Sequence, residues 1–389
     1  MNGIGINWAI SSFHGWGVFG LNLALELKRT GARPVALLQA PAALELDLPR
    51  ALLLRDAIAQ AQALERQLAG KKGAKVTVDA TVIQPAVFDF ELFGSPAIKG
   101  KREVCFIFFE NARFTAEGIA RANEFPFVLT GSKWNRDVLA AAGATESRLA
   151  HQGVDTALFH AAPRRGLFVD RFAIFAGGKL EYRKGQDIVL AAFKKFHARH
   201  KDALLIANWQ NMYSEIGVEI TTAGLSKREP ARAKNGRGLN VGQWIANEGL
   251  PEGSFVECGL VPNKDLPTLI RECDAAVFAS RAEGGTNLAA MECLACGLPT
   301  ILSANTGHLD LIESVPCWPL TTQGATTGSK RFPATDGWGE SDIDELVETL
   351  ENIYQNRDAA RTRGKQAAQA MAPWSWEHRV THLIDQIEN

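Results

Sequence analysis

Short apolar runs alternate with longer stretches of helical apolar spacing from one end of this chain to the other, the pattern of parallel α/β architecture. In the first half, the runs over 4–10, 34–38, 76–78, 81–84, 104–109, 127–130 and 149–152 predict strands. Their continuous apolarity suits strands covered on both faces. Between them the spacing predicts helices over 18–30, stopped by Gly31, over 46–69, and over 132–142 with Ser132 as N-cap. The stretch 160–166, with Pro163 and Gly166, breaks the alternation and marks a domain boundary. The pattern then restarts with strand 172–176, helix 186–200 and strand 203–207, followed by strands at 255–258, 275–279 and 300–303. The segment 324–339 reads as a polar loop, and helices close the chain, the last over 376–387.

At 389 residues the chain is too long for one comfortable core and suits two domains. The expected division is 1–163, 164–372 and a closing helical segment, 373–389, that packs back towards the first domain.

The densest chemistry lies over 281–297: Arg-Ala-Glu-Gly-Gly-Thr-Asn-Leu-Ala-Ala-Met-Glu-Cys-Leu-Ala-Cys-Gly. It follows the buried-strand run at 275–279 and turns into a helix from about Asn287 to Gly297. A helix opened by Gly284, Gly285, Thr286 and Asn287 and continued by Leu288 presents backbone N–H groups and a positive dipole end, which suits a phosphate. Glu283 and Glu292 flank that start. Carboxylates beside an anion site are explained if the phosphate carries hydroxyl-rich groups on both sides, because a carboxylate accepts from vicinal hydroxyls. A nucleotide sugar has that shape.

Two glycine-containing turns add to this. Gly177-Gly178-Lys179-Leu180-Glu181-Tyr182-Arg183-Lys184-Gly185 joins a strand to a helix, where ligands bind in open α/β sheets. Lys179 and Lys184 are placed to hold a diphosphate and stabilise it as it leaves. Glu181 and Arg183 are ambiguous, mutual pairing being one reading. Gly15-Trp16-Gly17-Val18-Phe19-Gly20 is a G-x-G-x-x-G after the first strand. A nicotinamide site also wants an acidic residue near the end of the second strand. That strand ends Leu38-Gln39-Ala40, so Gly15 and Gly17 read as a turn admitting a phosphate or sugar, against pure helix–strand packing, with His14 beside it. Glu110, at the end of the 104–109 run, is a candidate for orienting an acceptor hydroxyl or the donor sugar, with helix capping or a salt bridge as the alternative. Asn305 to His308 follow the next strand and are expected to line the same crevice.

Composition narrows the classes further. Hydrophobic content of 46% and charged content of 22% are those of a globular protein, and the net charge of -1 gives no support to a nucleic-acid partner. No apolar run reaches the ~18 residues of a membrane span. The first residues read as a strand, so the chain is expected in the cytoplasm, with peripheral association at the inner face of the membrane left open. The six cysteines sit mostly in apolar elements, and Cys293-Leu-Ala-Cys296 lies mid-helix with no second pair, a core arrangement. No histidine pattern suggests a metal, and Asp89-Phe90-Glu91 is the nearest thing to a D-x-D. The basic segment 226–238 is read as a solvated loop, with a reach toward an anionic acceptor or membrane as the alternative.

Gly178-Lys179-Leu180, Lys184-Gly185, Gly259-Leu260-Val261-Pro262 and the 283–297 stretch resemble the retaining GT-B glycosyltransferases of family 4. So do Gly131-Ser132-Lys133-Trp134-Asn135, the run Gly153 to Phe159, and Pro373-Trp374-Ser375-Trp376-Glu377. The resemblance spans nearly the whole chain and implies two Rossmann-like parallel-sheet domains facing a cleft, the donor held mainly by the second. It implies a ribose role for Glu292, a transferred-sugar contact for Glu283, diphosphate contacts for Lys179 and Lys184, and a position bordering the base for Val261. It also implies a metal-independent reaction with no cofactor beyond a nucleoside diphosphate sugar as co-substrate, the acceptor being a glycan, a glycolipid or a small glycoside. The family usually spaces its glutamates with seven intervening residues; here eight intervene, and Gly284 takes the usual first position. Either Glu283 reaches the sugar through a one-residue bulge or the 284–287 backbone replaces that contact. Lysine also stands at 179, where the family often has arginine, so the charge is kept and a bidentate contact is lost. The alternatives are a non-catalytic nucleotide-sugar-binding protein and an NAD(P)-dependent oxidoreductase using the Gly15–Gly20 segment.

Overall fold

The computed structural model describes residues 3–71, 73–144, 146–210, 214–233 and 238–389. Of the basic segment 226–238, residues 234–237 lie outside the described residues. The chain divides into two compact units, one of residues 1–155, 262–264 and 373–389, the other of 156–261 and 265–372.

The first unit is built in chain order from β1 (Gly3–Ile6), α1 (Gly15–Thr30), β2 (Val35–Leu37), α2 (Leu48–Leu68), β3 (Val76–Ala86), β4 (Ile98–Ile107), α3 (Ala116–Ala122), β5 (Val128–Thr130), α4 (Lys133–Ala141) and β6 (Ser147–Leu149). Its six strands run parallel in the order β2-β1-β3-β4-β5-β6. Ile4 and Ile6 of β1 and Val104 to Ile107 of β4 are buried, as a sheet covered on both faces requires. Gly31 caps α1 in the left-handed region with φ 62°, and the Ser132 hydroxyl accepts from Asn135 N at 3.1 Å to open α4. The segment 373–389 completes this unit: Val154 N donates to Trp374 O at 2.8 Å, Trp376 N donates to Val154 O at 3.1 Å, and the Trp376 ring lies 5.7 Å from Phe19.

The second unit contains β7 (Phe172–Gly177), α5 (Gln186–Arg199), β8 (Ala203–Asn208), α6 (Ser214–Gly217), α7 (Val241–Asn247), β9 (Phe255–Glu257), α8 (Leu266–Ile270), β10 (Ala275–Phe278), α9 (Leu288–Ala295), β11 (Thr300–Ser303), α10 (His308–Ile312), β12 (Trp318–Leu320), the hairpin strands β13 (Gln323–Gly324) and β14 (Glu340–Ser341), and α11 (Ile343–Gln355) and α12 (Arg357–Ala370). Six strands again run parallel, in the order β12-β11-β10-β7-β8-β9. The core joins Phe172, Ile174, Val277 and Ile301 of the sheet to Ile188, Phe193 and Phe196 of α5 and to Leu346 and Leu350 of α11. The terminal helix of the first unit is α13 (Trp376–Glu388).

The expected fold class, two Rossmann-like parallel sheets with flanking helices, is the one observed. Local boundaries moved. The runs 76–78 and 81–84 are one strand, β3, whose pairing with β4 shifts register between Val78 and Thr81. Asp79 and Ala80 interrupt the apolar pattern there, but a bulge absorbs them without ending the strand. β4 begins at Ile98, well before the apolar run: Ile98 to Gly100 pair with Val76 to Val78 of β3, while Lys99 and Lys101 are exposed. The segment read as a glycine loop is the first turn of α1. The His14 ring caps it, Nδ1 accepting from Gly17 N at 3.1 Å.

Candidate active site

In the second unit, β7 ends at Gly177 and the chain makes a 3-10 turn over Tyr182–Lys184 before α5 begins. Gly185 joins them at φ 67°, and a Cβ there would sit 1.9 Å from Ala279 O. Only glycine allows that backbone to press against the end of β10. The turn is then tied to the segment after β10: Arg281 N donates to Arg183 O at 2.7 Å. Gln186 of α5 holds the other side, its amide donating to Lys179 O at 2.9 Å.

These ties place Lys184 against Glu283. Lys184 Nζ lies 2.7 and 2.8 Å from the two Glu283 oxygens, and Arg183 Nη1 lies 3.1 Å from Glu283 Oε2. The same carboxylate accepts from Ser280 Oγ at 2.7 Å and Asn287 Nδ2 at 2.9 Å. Burial alone would raise the Glu283 carboxyl, but Lys184, Arg183 and His308 overcome it and bring it down to about 2. Glu283 is therefore ionised and fully engaged at neutral pH.

Asn287 stands at the N-cap of α9 with φ 62°, an uncommon value for a residue other than glycine. Its side chain links both neighbours. Nδ2 donates to Glu283 and to the buried His308 Nε2, at 3.1 Å, while His308 Nδ1 donates to Ser303 O at 3.1 Å. Those partners fix a neutral imidazole, and burial pushes its pKa down to about 4. Gly284, Gly285 and Thr286 are buried before this helix start, and Leu288 is half-buried at its first position. Glu292, one turn after Leu288 on the same face, is buried.

Glu181 is the second buried carboxylate, 2% exposed. Arg183 Nε lies 2.9 Å and Lys179 Nζ 3.3 Å from its Oε2. Arg183 thus bridges Glu181 and Glu283. Burial raises the Glu181 carboxyl, while Arg183, Lys179 and Lys184 draw it below its ordinary value.

The structure therefore brings Lys179, Lys184, Glu283, the 284–288 segment and Glu292 to one end of the second unit's sheet. Val261, half-buried, follows β9 in the same unit. Gly15, Gly17 and Glu110 belong to the first unit. A Cβ on Gly17 would meet Ser11 Cβ at 2.3 Å, so Gly17 is required by packing inside its own unit, whereas Gly15 has open space. Glu110 is half-buried beyond the end of β4. Gln39, where a nicotinamide site needs an acid, donates to Asn7 O at 2.8 Å.

Sequence reasoning missed Arg281 and Asp187. Arg281 is fully buried, its Nη1 and Nη2 each 2.8 Å from an Asp187 oxygen, its Nε 2.7 Å from Glu340 Oε2, and its plane 4.3 Å from the Tyr182 ring. It joins the Tyr182–Lys184 turn to the segment carrying Glu283. An arginine at the end of an apolar strand run was the available signal. Among the described residues no group of three or more His, Cys, Asp or Glu side chains is arranged to hold a metal ion.

Two parallel six-stranded Rossmann-like sheets with flanking helices make this the GT-B fold. A family model described as "Glycosyl transferases group 1" matches residues 171–316, and one described as "Family 4 Glycosyltransferase in conflict systems" matches 262–383. Residues 171–383 thus carry group 1 and family 4-type glycosyltransferase domains. No curated protein matches it in sequence. Several solved structures share its fold. Sucrose-phosphate synthase from Thermosynechococcus elongatus has a TM-score of 0.61 at 15% identity, covering 100% of this chain and 98% of its own. Anabaena HepE in complex with UDP-glucose has a TM-score of 0.61 at 16% identity, with 100% and 99% covered. Trehalose 6-phosphate synthase from Burkholderia multivorans has a TM-score of 0.61 at 11% identity, with 99% and 98% covered.

Proposed function

We propose that this protein transfers a hexose from a nucleoside diphosphate sugar to an acceptor hydroxyl, with retention at the anomeric carbon and without a metal ion. The observation that carries the reading is the Lys184–Glu283 contact of 2.7 Å beside the start of α9. It joins a phosphate-type cation, a sugar-type carboxylate and a helix N-terminus in one buried network. In this reading the donor diphosphate replaces Glu283 as the partner of Lys184, with Lys179 beside it. Glu283 then turns to the hexose hydroxyls, and Glu292 accepts from the ribose. The 284–288 backbone lies against the phosphate, and Val261 borders the base. Gly15 and Gly17 are proposed to admit a donor phosphate or sugar, and Glu110 to orient the acceptor hydroxyl or hold the donor sugar.

The bond from the anomeric carbon to the diphosphate oxygen breaks as the acceptor oxygen attacks on the same face. The acceptor proton passes to a donor phosphate oxygen, so the protein's share is alignment and charge stabilisation. The acceptor is a glycan, a glycolipid or a small glycoside. The proposed setting is the cytoplasm, with peripheral membrane association where the acceptor is lipid-linked. No helix among the described residues is long and apolar enough to cross a membrane. The UDP-glucose complex of the HepE neighbour makes uridine diphosphate sugars the first donors to try.

The test is a thermal-shift panel of nucleoside diphosphates and their sugars, followed by release of free nucleoside diphosphate over an acceptor panel with and without chelator. A ligand at about 100 times its Kd adds about 2.7 kcal/mol to the native state. One nucleotide sugar is expected to stand out and to turn over equally in chelator. No response to any member refutes the reading.

A further inference from the structure

The loop between β13 and β14 brings a further cation, outside the motifs read from the sequence, to the Tyr182–Lys184 turn. The loop is tied to the site by its own backbone. Tyr182 Oη donates to Thr327 O at 2.9 Å. Ser329 Oγ and Arg331 N donate to the two oxygens of Glu219, at 2.6 and 3.1 Å. These ties carry the Arg331 side chain over Glu181, with Nε 3.9 Å from Oε1. Three cationic side chains, Lys179, Arg183 and Arg331, thus converge on one buried carboxylate, and Arg183 and Lys184 converge on the next.

Charge and exposure then assign a role. The four cations exceed the two carboxylates by two positive charges. A diphosphate esterified at both ends carries about two negative charges, and gains another when the sugar leaves. Arg183 and Lys184 are buried and already held at 3.1 Å or less. Arg331 is different: its side chain is 51% exposed and its ion pair with Glu181 is the longest of the set. A half-exposed pair at that distance contributes little, so exchanging it for an incoming phosphate costs little. Its guanidinium also supplies the planar, two-pronged donor that lysine at position 179 lacks.

We propose that Arg331 is a specificity-determining residue of the donor subsite, contacting the diphosphate from the β13–β14 loop and favouring nucleoside diphosphates as the leaving group. The proposal rests on the donor reading of Lys179 and Lys184. It is tested by titrating UDP, GDP and ADP into the wild-type protein, Arg331→Ala, Arg331→Lys and Lys184→Met by calorimetry, at low and high KCl. Arg331→Ala is expected to raise the Kd of the diphosphate that binds best by about tenfold. It should also make the salt dependence of that Kd shallower and leave the melting temperature unchanged, while Arg331→Lys recovers part of the affinity. A Kd within about threefold of wild type, with Lys184→Met impaired, overturns the role of Arg331 alone. Failure of the wild-type protein to bind any of the three overturns the donor reading itself.

Discussion

Removing the Lys184 ammonium is the most direct perturbation of the buried network. At 2.7 Å from Glu283 and an effective dielectric of about 20, the bare attraction is about 6 kcal/mol. Desolvation of both groups offsets part of it, and deleting one partner of a buried pair costs about 3–5 kcal/mol. Arg183, Ser280 and Asn287 remain on the Glu283 carboxylate, so the lower end, about 3 kcal/mol, is expected for Lys184→Met. The variant therefore loses stability as well as turnover. Glu283→Gln also destabilises, by leaving the ammonium without its counter-charge. Urea unfolding of both variants and the double variant closes the cycle, read as midpoint shifts at constant m. The double variant is expected to fall short of the sum by about 2 kcal/mol. Additivity within about 0.5 kcal/mol refutes the pairing. The pH dependence has a fixed sign. The Glu283 carboxyl is held down at about 2, so its contribution is present above the ordinary value near ~4.3 and is lost as pH falls towards 2. Without Lys184 the folded-state value rises towards the ordinary one, so the loss becomes smaller and is complete at a higher pH.

His308 gives a second pH test. Its pKa of about 4 lies below the ordinary ~6.5, so its contribution is complete above that value and falls by about 3 kcal/mol as pH drops towards 4. His308→Gln should flatten the stability profile in that window, and an unchanged slope refutes the buried neutral imidazole. At the start of α1, Gly17→Ala forces a Cβ to within 2.8 Å of Ser11 N and is expected to cost about 1–3 kcal/mol, while Gly15→Ala leaves the melting point unchanged. A loss of kcat/KM in Gly15→Ala at full stability would support a ligand at that turn; equal thermal stability of the two variants would contradict the packing role of Gly17.

The parallel sheets were legible because their strands are continuous apolar runs, which few other arrangements accommodate. β11 begins and ends where its run does, since all four of its residues are buried. β6 was displaced towards its N-terminal side because its residues are only half-buried, so apolarity carries no information about its ends. In the site, Lys184 and Glu283 were readable as residue types at the ends of strands. Their direct pairing was not, since it depends on Gly185 bringing the turn against Ala279. Arg281 was opaque for a related reason. Its partners Asp187 and Glu340 lie far along the chain in either direction, so the apolar run before it hints at burial but does not name what it pairs with. The backbone of Glu283, before the extra residue, is held by the next loop: Glu283 N donates to Thr306 Oγ1 at 2.8 Å, and Gly307 N donates to Glu283 O at 3.0 Å.

The first unit is interrupted in sequence by all of the second, and its helix α13 is made after residue 372. During synthesis the β1–β6 sheet therefore emerges with Phe19 still lacking the Trp376 ring, and Val154 lacking both of its backbone partners around Trp374 and Trp376. Residues 156–261 and 265–372 can close their own core before that gap is filled. The order of maturation on the ribosome is then the reverse of the order of translation, with the second unit complete first. In the interval an apolar face of the first unit stays open to water, the stage at which aggregation competes with folding.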